Sequence, residues 1–357
     1  MMKFSLIQTR IILNNSKTVI AGVGLLRSVF EATQAIWAER ARPDALPASA
    51  SNQMKGYLRN LLGGAVVGAM LLLAGCAGLG GAPALPEASP VVAKRMPRIG
   101  LALGGGAAKG FAHVGVIAVL EEAGLRPSYV VGTSAGSLVA ALYASGKSSA
   151  ELQKVALAID EVAITDWMLP LVGRGMFRGD ALGRYVNEAV GGRLIDQMTI
   201  PLGVVATDLG NGQAMLFQRG DTGTAVRASS AVPGVFVPVR ISGRDYVDGG
   251  LVAPVPVRFA RQMGAELVIA VDISTVPEDN NANDTLQILL QTFSIMGRSI
   301  NQHELRDADI IIRPSLVGLK SADFSARLKA IEAGRAAMLA ALPALRLKLD
   351  AASVALR

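Results

Sequence analysis

From residue 97 onward, short apolar runs alternate with longer stretches of helical spacing. Continuous apolar runs are typical of strands buried on both faces, as in parallel sheets, and the helical stretches between them provide the crossover connections. The sequence therefore predicts an α/β fold, a three-layer α/β/α arrangement around a central, mostly parallel sheet. The predicted strands span residues 98–103, 129–131, 202–206, 266–271 and 309–312.

Turn and helix signals complete the predicted layout. Residues 214–218 form a further strand-like run, and the Gly-Asn-Gly turn at residues 210–212 predicts that it forms a hairpin with the strand before it. From Ser321 onward, Ala and Leu recur at helical spacing, which predicts one or two packed helices. The expected folded parts are a main domain at residues 97–315 and C-terminal helices packed on it at residues 316–357.

An uncharged apolar run, residues 61–73, lies near the N-terminus. It follows the basic residues Lys55 and Arg59, and it is too short for a comfortable membrane span, which needs about 20 apolar residues. The run leads into Leu-Ala-Gly-Cys at residues 73–76, which resembles a bacterial lipobox. In such a motif the chain is cleaved before the cysteine, and the thiol of Cys76 carries a diacylglycerol. The alternative is a free cysteine after an ordinary signal peptide.

The lipobox interpretation predicts the organisation of the N-terminal part. Residues 54–75 are expected to be a lipoprotein signal peptide, and residues 76–96, rich in Ala, Gly and Pro, a lipidated flexible tether. Residues 1–53 look like spurious upstream translation, with a functional extension as the alternative. Ala77, rather than an aspartate, follows the cysteine, and the sorting logic of bacterial lipoproteins then favours the outer membrane, on its periplasmic face or at the cell surface.

The charge distribution argues against a nucleic-acid partner. The chain has a formal net charge of +7, but residues 1–75 contain 8 of the 35 Lys and Arg and only 3 of the 28 acidic residues. The remainder therefore has a net charge of +2, too small for an electrostatic footprint on nucleic acid. Because Cys76 is the single cysteine, an intrachain disulfide and a cysteine-based metal site are excluded.

A candidate nucleophile lies in the Gly-Thr-Ser-Ala-Gly sequence, residues 132–136. The strand-like run before it and the helical stretch after it are the context of a nucleophile elbow, in which a strained turn exposes the serine at a helix N-terminus. Gly132 and Gly136 would then let neighbouring elements approach closely. The sequence predicts Ser134 as the nucleophile and the N–H group of Ala135 as one donor to an oxyanion.

A glycine-rich loop follows the first predicted strand, at residues 104–110. Such a loop presents unpaired N–H groups and a helix N-terminus, which bind either a dinucleotide pyrophosphate or the oxyanion of an acyl-transfer intermediate. The dinucleotide fingerprint Gly-x-Gly-x-x-Gly fits neither register of the loop. An oxyanion hole is therefore expected, with donors at Gly105, Gly106 and Ala107.

Asp248 is the candidate base, because it follows a short strand and precedes Gly249 and Gly250. An exposed turn is the simpler structural interpretation of Asp-Gly-Gly. The chain has only two histidines, His113 and His303, and neither lies in the loop after a late strand where the histidine of a Ser-His-Asp triad is expected. A carboxylate that accepts the serine proton directly is then the simpler mechanism.

These motifs together resemble the patatin-like phospholipase family, over roughly residues 97–314. A fourth segment, residues 227–234, resembles the one that precedes the family's aspartate loop. Ala107 and Lys109 stand where plant members have Gly and Arg, as in the bacterial branch that resembles neuropathy target esterase. The resemblance implies a Ser134–Asp248 dyad supported by the residues that complete the motifs, namely Gly104, Lys109, Gly110, Gly132, Gly136, Gly249 and Gly250.

The resemblance further implies an esterase or phospholipase of the lysophospholipase or phospholipase A type. Its expected partners are a phospholipid or lysophospholipid substrate and a membrane, reached through the lipid anchor. No cofactor and no metal is expected, because both reacting groups are side chains. Two alternatives are a non-catalytic lipid-binding lipoprotein with a hydrolase fold, and an α/β-hydrolase with a triad of Ser134, Asp248 and His303.

Overall fold

The computed structural model describes residues 94–159, 176–274, 284–319 and 324–355. Cys76, the predicted signal peptide at residues 54–75, residues 1–53 and nearly all of the predicted tether lie outside the described residues. The predictions made for that part of the sequence therefore remain predictions.

One eight-stranded sheet forms the centre of the described domain, and its strands are Ile99–Leu103 (β2), Tyr129–Thr133 (β3), Leu202–Asp208 (β4), Ala214–Phe217 (β5), Val239–Ile241 (β6), Arg244–Asp248 (β7), Leu267–Val271 (β8) and Ile310–Ile312 (β9). Their order in the sheet is β6-β7-β4-β3-β2-β8-β9, with β5 paired to β4. The five neighbouring strands β4, β3, β2, β8 and β9 pair in parallel. The pairs formed by β5, β6 and β7 are antiparallel. A separate two-stranded pair joins Lys94–Arg95 (β1) to Val354–Ala355 (β10).

Eight α-helices are described. Two of them come next along the chain after the first two parallel strands, as expected for crossover connections. The helices are Ala112–Glu122 (α1), Ala135–Ala144 (α2), Ser149–Ala158 (α3), Asp180–Ala189 (α4), Thr222–Ser229 (α5), Val257–Gln262 (α6), Thr285–Glu304 (α7) and Arg327–Ala351 (α8). No helix in the described part of the chain is both long enough and apolar enough to cross a membrane.

Alternate residues of the parallel strands point to opposite sides of the sheet, and both sides are buried. Leu101 and Leu103 of β2 belong to a large apolar cluster that also includes buried residues of α1, α2 and α8, whereas Ala102 packs in a second cluster with Val257 of α6. The expected α/β class, with helices on both faces of a mostly parallel sheet, is therefore confirmed.

The predicted hairpin is also present. β4 and β5 pair antiparallel with Val204 opposite Phe217, and the Asp208 carboxylate accepts a hydrogen bond from the N–H group of Gly210 at 2.9 Å, which stabilises the turn. After residue 320 the described chain forms one long helix, α8, in agreement with the expected one or two helices.

Candidate active site

Ser134 lies between the last residue of β3 and the first residue of α2. Its backbone has φ 54° and ψ −126°, a strained combination that few residues other than glycine adopt. In the described part of the chain, only Ala107 and Ser242 among the other non-glycine residues also have positive φ. The strain shows a sharp strand-to-helix turn at Ser134, which is the geometry of a nucleophile elbow.

The glycines on either side of Ser134 are required by close packing. A Cβ atom on Gly132 would overlap the backbone of Gly136, and a Cβ atom on Gly136 would overlap the Leu103 carbonyl at the end of β2. A larger residue at position 132 would therefore distort the elbow itself, and one at position 136 would push the elbow away from the end of β2.

The glycine-rich loop packs tightly against the elbow and the core. A Cβ atom on Gly110 would lie 2.9 Å from the Ala135 Cβ, and the Gly104 N–H group donates to the Val271 carbonyl at 3.0 Å. Lys109 is 6% exposed, so this cation is enclosed by the protein rather than projecting into solvent. These contacts fix the loop close to Ser134.

The hydrogen bonds of the loop correct one predicted oxyanion donor. The N–H group of Gly105 donates to the Pro254 carbonyl at 2.9 Å, so it is already committed to a backbone bond in this structure. The sequence could not reveal this, because Pro254 lies about 150 residues further along the chain. Within the described residues, the N–H groups of Gly106, Ala107 and Ala135 have no partner, and these three remain the candidate donors.

Strand register brings Asp248 next to Ser134. Thr133 pairs with Val205 of β4, and the next residue of β4, Ala206, pairs with Asp248 at the end of β7. In this register Ser134 lies beside Ala206 on one side of β4. Asp248 lies beside Ala206 on the other side of β4. The sheet thus brings Ser134 and Asp248 near each other, although they are 114 residues apart in sequence.

The carboxyl group of Asp248 is buried and held at several points. Its Oδ1 accepts a hydrogen bond from the Gly250 N–H at 2.7 Å, its backbone N–H donates to the Ala231 carbonyl at 3.0 Å, and its carbonyl accepts from the Thr207 hydroxyl at 2.8 Å. A Cβ atom on Gly249 would overlap the Val205 carbonyl, so this loop can turn inward only with glycine there. Asp248 is thus a rigid interior carboxyl group and not an exposed turn residue.

Burial raises the pKa of Asp248 to about 6, because the charged carboxylate loses its hydration. The nearby Ser134 hydroxyl and the hydrogen bond from the Gly250 N–H oppose this shift by stabilising the charged form. Even so, Oδ2 has no hydrogen-bond partner of good geometry among the described residues. The Ser134 hydroxyl therefore lies close enough to affect the carboxyl group, while Oδ2 retains a free acceptor position.

Ser134 and Asp248 line the same cavity, which has a volume of about 500 Å³. Its polar wall is formed by the glycine-rich loop and the Asp248 loop. Its opposite wall is formed by α7. The lining residues that α7 contributes are Gln287, Leu290, Gln291, Phe293, Ser294, Gly297 and Arg298.

The two histidines do not occupy a triad position. His113 is fully buried, its Nε2 lies 2.9 Å from the Gly104 carbonyl, and burial lowers its pKa to about 4. The neutral ring therefore donates to the carbonyl of Gly104 and supports the loop from behind. His303 is exposed near the end of α7 and does not line the cavity that contains Ser134.

Ser229 is a residue of this site that the sequence did not single out by itself. Its hydroxyl accepts a hydrogen bond from the Ser134 N–H at 2.9 Å and donates to the Val205 carbonyl at 2.5 Å. Ser229 lies within residues 227–234, the fourth motif segment, and this was the only feature of the sequence that could have pointed to it.

In the described residues, no group of three or more His, Cys, Asp or Glu side chains is placed to bind a metal ion.

Comparisons with known proteins agree with the motifs. Residues 101–261, which contain Ser134 and Asp248, match the family model described as patatin-like phospholipase. The chain is similar to an uncharacterized NTE family protein of Mycobacterium bovis, with 37% identity over 190 residues, or 53% of this chain and 52% of that protein. The chain thus spans about half the length of this relative.

Two further similarities are more distant or more partial. Patatin-like phospholipase domain-containing protein 6 of Homo sapiens is 34% identical over 186 residues, which cover 50% of this chain and 14% of that protein. The structure of VipD from Legionella pneumophila has a TM-score of 0.47 and 16% identity, over 69% of this chain and 67% of that one. The sequence comparisons support the family that the motifs resemble.

Proposed function

We propose that this chain is a serine esterase of the patatin-like phospholipase type, which hydrolyses acyl esters of phospholipids or lysophospholipids. The observation that carries the proposal is the position of Ser134 and Asp248 in one cavity. The serine has strained backbone geometry, and the carboxyl group is buried with a free Oδ2. A buried carboxyl group with a raised pKa, placed beside a serine hydroxyl, is suited to general-base catalysis.

In the proposed acylation step, the Asp248 carboxylate takes the hydroxyl proton of Ser134 while Oγ forms a bond to the ester carbonyl carbon. The carbonyl oxygen becomes an oxyanion, and the N–H groups of Gly106, Ala107 and Ala135 stabilise it. The tetrahedral intermediate then expels the alcohol, which leaves with the proton from Asp248. The products of this step are the free alcohol and an acyl-Ser134 ester.

In the deacylation step, Asp248 takes a proton from a water molecule as the water oxygen attacks the acyl carbon. Collapse of the second tetrahedral intermediate releases the fatty acid and returns the proton to Ser134 Oγ. One carboxyl group thus acts as base and then as acid in each half-reaction, without a histidine.

The surface around the cavity supports a lipid substrate. Leu290 and Phe293 of α7 line the cavity, while Ile288, Ile295 and Met296 of the same helix are about half exposed. Exposed apolar side chains beside a catalytic cavity are suited to contact with acyl chains. The names of the similar proteins, which include phospholipase, point to the same substrate class.

The proposed location follows from the lipobox resemblance at Cys76. A diacylglycerol on this thiol, with further acylation, would anchor the chain stably, because each buried methylene contributes about 0.8 kcal/mol. The enzyme would then act at the cell envelope, on the outer membrane that Ala77 favours. The substrate would be present in the same bilayer.

A fluorophosphonate probe tests the proposed nucleophile. The parent chain should be labelled at Ser134, as read by peptide mass spectrometry, and Ser134→Ala should lose both labelling and ester hydrolysis while keeping its circular dichroism spectrum. Ser294→Ala, which removes another hydroxyl from the same cavity, should still be labelled at Ser134. Labelling at a different serine, or retained hydrolysis in Ser134→Ala, would refute the proposal.

A further inference from the structure

Helix α7 changes character along its length. Its first part, residues 285–296, presents the apolar side chains that line or surround the catalytic cavity. Its last part, residues 297–304, is polar and contains Arg298, Asn301 and Gln302. The same helix therefore offers an apolar surface along its first part and a polar surface along its last part.

A second cavity, of about 480 Å³, lies along the polar part of α7. It adjoins the catalytic cavity, because Ser274 and Arg298 line both. A molecule whose ester lies at Ser134 could therefore extend from the first cavity into the second without leaving the protein surface.

The charged groups that line the second cavity are predominantly cationic. They are Lys109, Arg298, Arg313 and one acid, Asp272. The Asp272 carboxylate is already neutralised, since its Oδ2 accepts from Arg313 Nε at 3.2 Å and its Oδ1 accepts from the Ser274 hydroxyl at 2.6 Å. The cavity therefore has a net positive charge and is suited to an anion.

Arg298 is the cation best placed to bind that anion. It is exposed at the junction of the two cavities, and within the described residues it makes no hydrogen bond or ion pair. Lys109 differs, because it is buried and already has an interaction partner. The planar guanidinium group of an arginine can donate two parallel hydrogen bonds to a phosphate, which a lysine cannot.

Asn301 adds an uncommitted donor to the wall of the second cavity. The residue is 3% exposed, and its Oδ1 accepts from the Val255 N–H at 3.1 Å. Its Nδ2 is buried without a partner in the described part of the chain. A buried donor left unpaired costs free energy, so Nδ2 favours an acceptor oxygen, from a ligand or a water molecule, at this wall of the cavity.

We propose that the second cavity is a phosphate-binding subsite, which receives the head-group phosphate of the ester that Ser134 cleaves. Arg298 binds the phosphate at the junction of the two cavities, whereas the charge of Arg313 is paired with Asp272. This inference deepens the proposed function and rests on it. It predicts that α7 orients the substrate, with the acyl chain along its apolar part and the phosphate along its polar part.

The kinetic test compares two esters with the same acyl chain, lysophosphatidylglycerol and the neutral monoacylglycerol. In Arg298→Gln, kcat/KM for the phosphate-bearing ester should fall about tenfold or more, as expected for loss of a charge-assisted hydrogen bond. The kcat/KM for monoacylglycerol should fall much less, because this ester has no phosphate, so the ratio of the two kcat/KM values is the measured effect. Arg306→Gln is the matched control, because Arg306 is exposed, follows α7 and lines neither cavity.

An equal loss for both esters in Arg298→Gln, or no loss for either, would overturn the subsite while leaving the proposed hydrolysis intact. Arg298→Lys should lie between the parent and Arg298→Gln, since it keeps the charge but loses the planar fork. Absence of hydrolysis of both esters by the parent chain would contradict the proposed function instead.

A binding measurement tests the subsite without catalysis. Isothermal titration calorimetry with Ser134→Ala should show binding of glycerophosphoglycerol, and adding Arg298→Gln should weaken it about tenfold or more. Equal binding in the two proteins would overturn the proposal. Inorganic phosphate should bind more weakly than the phosphodiester. If it binds more tightly, the cavity is a site for free phosphate and the head-group assignment is wrong.

Discussion

The hydroxyl of Ser229 accepts a hydrogen bond from the backbone N–H of Ser134 at 2.9 Å. Ser229 is fully buried at the end of α5, and it also donates to the Val205 carbonyl on β4. Two residues further on, the Ala231 carbonyl accepts from the N–H of Asp248. One short segment therefore holds the backbones of both the proposed nucleophile and the proposed base.

Ser229 is expected to act as a positioning residue for Ser134. In Ser229→Ala, the Ser134 N–H and the Val205 carbonyl lose their partner, which should destabilise the fold by about 1–3 kcal/mol. Because the elbow loses a fixed point, kcat should fall about 10- to 100-fold with little change in KM. The measurement is steady-state kinetics on a p-nitrophenyl ester, together with the rate of fluorophosphonate labelling of Ser134.

Ser230→Ala is the matched control, because Ser230 is the next residue and is only partly buried. It should keep the kcat of the parent. A lower unfolding midpoint in Ser229→Ala with unchanged kcat would show that Ser229 supports only the fold.

The choice between a dyad and a triad depends on Asp248 and His303. If Asp248 is the base, Asp248→Asn should lower kcat/KM by at least about 10³-fold, as expected when a proton acceptor is lost. His303→Ala should remain within about twofold of the parent, because His303 is exposed and away from the cavity. Kinetics on a p-nitrophenyl ester measure both effects.

Asp245→Asn, in the same strand as Asp248 but outside the cavity, controls for loss of a negative charge in β7. Near-complete loss of activity in a folded His303→Ala variant would contradict the dyad and support the triad.

The pH dependence of the reaction should report the raised pKa of Asp248. Burial raises this pKa to about 6, and the group must be deprotonated to accept the Ser134 proton. The kcat/KM should therefore fall about tenfold per pH unit below pH 6 and reach a plateau above it. A profile measured from pH 4 to pH 9 would contradict the proposal if the rate stayed constant down to pH 4, the range of an ordinary carboxylate.

Cys76 is expected to be the lipid-bearing residue. In cells fed radiolabelled palmitate, the parent chain should incorporate label and Cys76→Ser should not, because the thiol is the acceptor and the chain has no other cysteine. Cys76→Ser should also retain the unprocessed precursor on a gel. Normal processing and labelling of Cys76→Ser would show that the lipobox resemblance is misleading.

The sequence alone determined the α/β class and the local form of the elbow. Apolar runs separated by helical stretches can pack only as buried strands with crossovers, and the structure has them at β2, β3, β4 and β8. The strand-to-helix turn at Ser134 is likewise local, since the residues at 132–136 decide whether such a turn can form. These features need no knowledge of distant parts of the chain.

Only the tertiary structure decided which distant groups meet at the site. Three features join segments that are far apart in sequence. They are the hydrogen bond from the Gly105 N–H to Pro254, the hydrogen bond from the Ser134 N–H to Ser229, and the cavity wall formed by α7. Strand register and helix packing set these contacts. The raised pKa of Asp248 also depends on the tertiary structure, because burial removes water from around the carboxyl group. The sequence shows this residue only as part of an Asp-Gly-Gly turn.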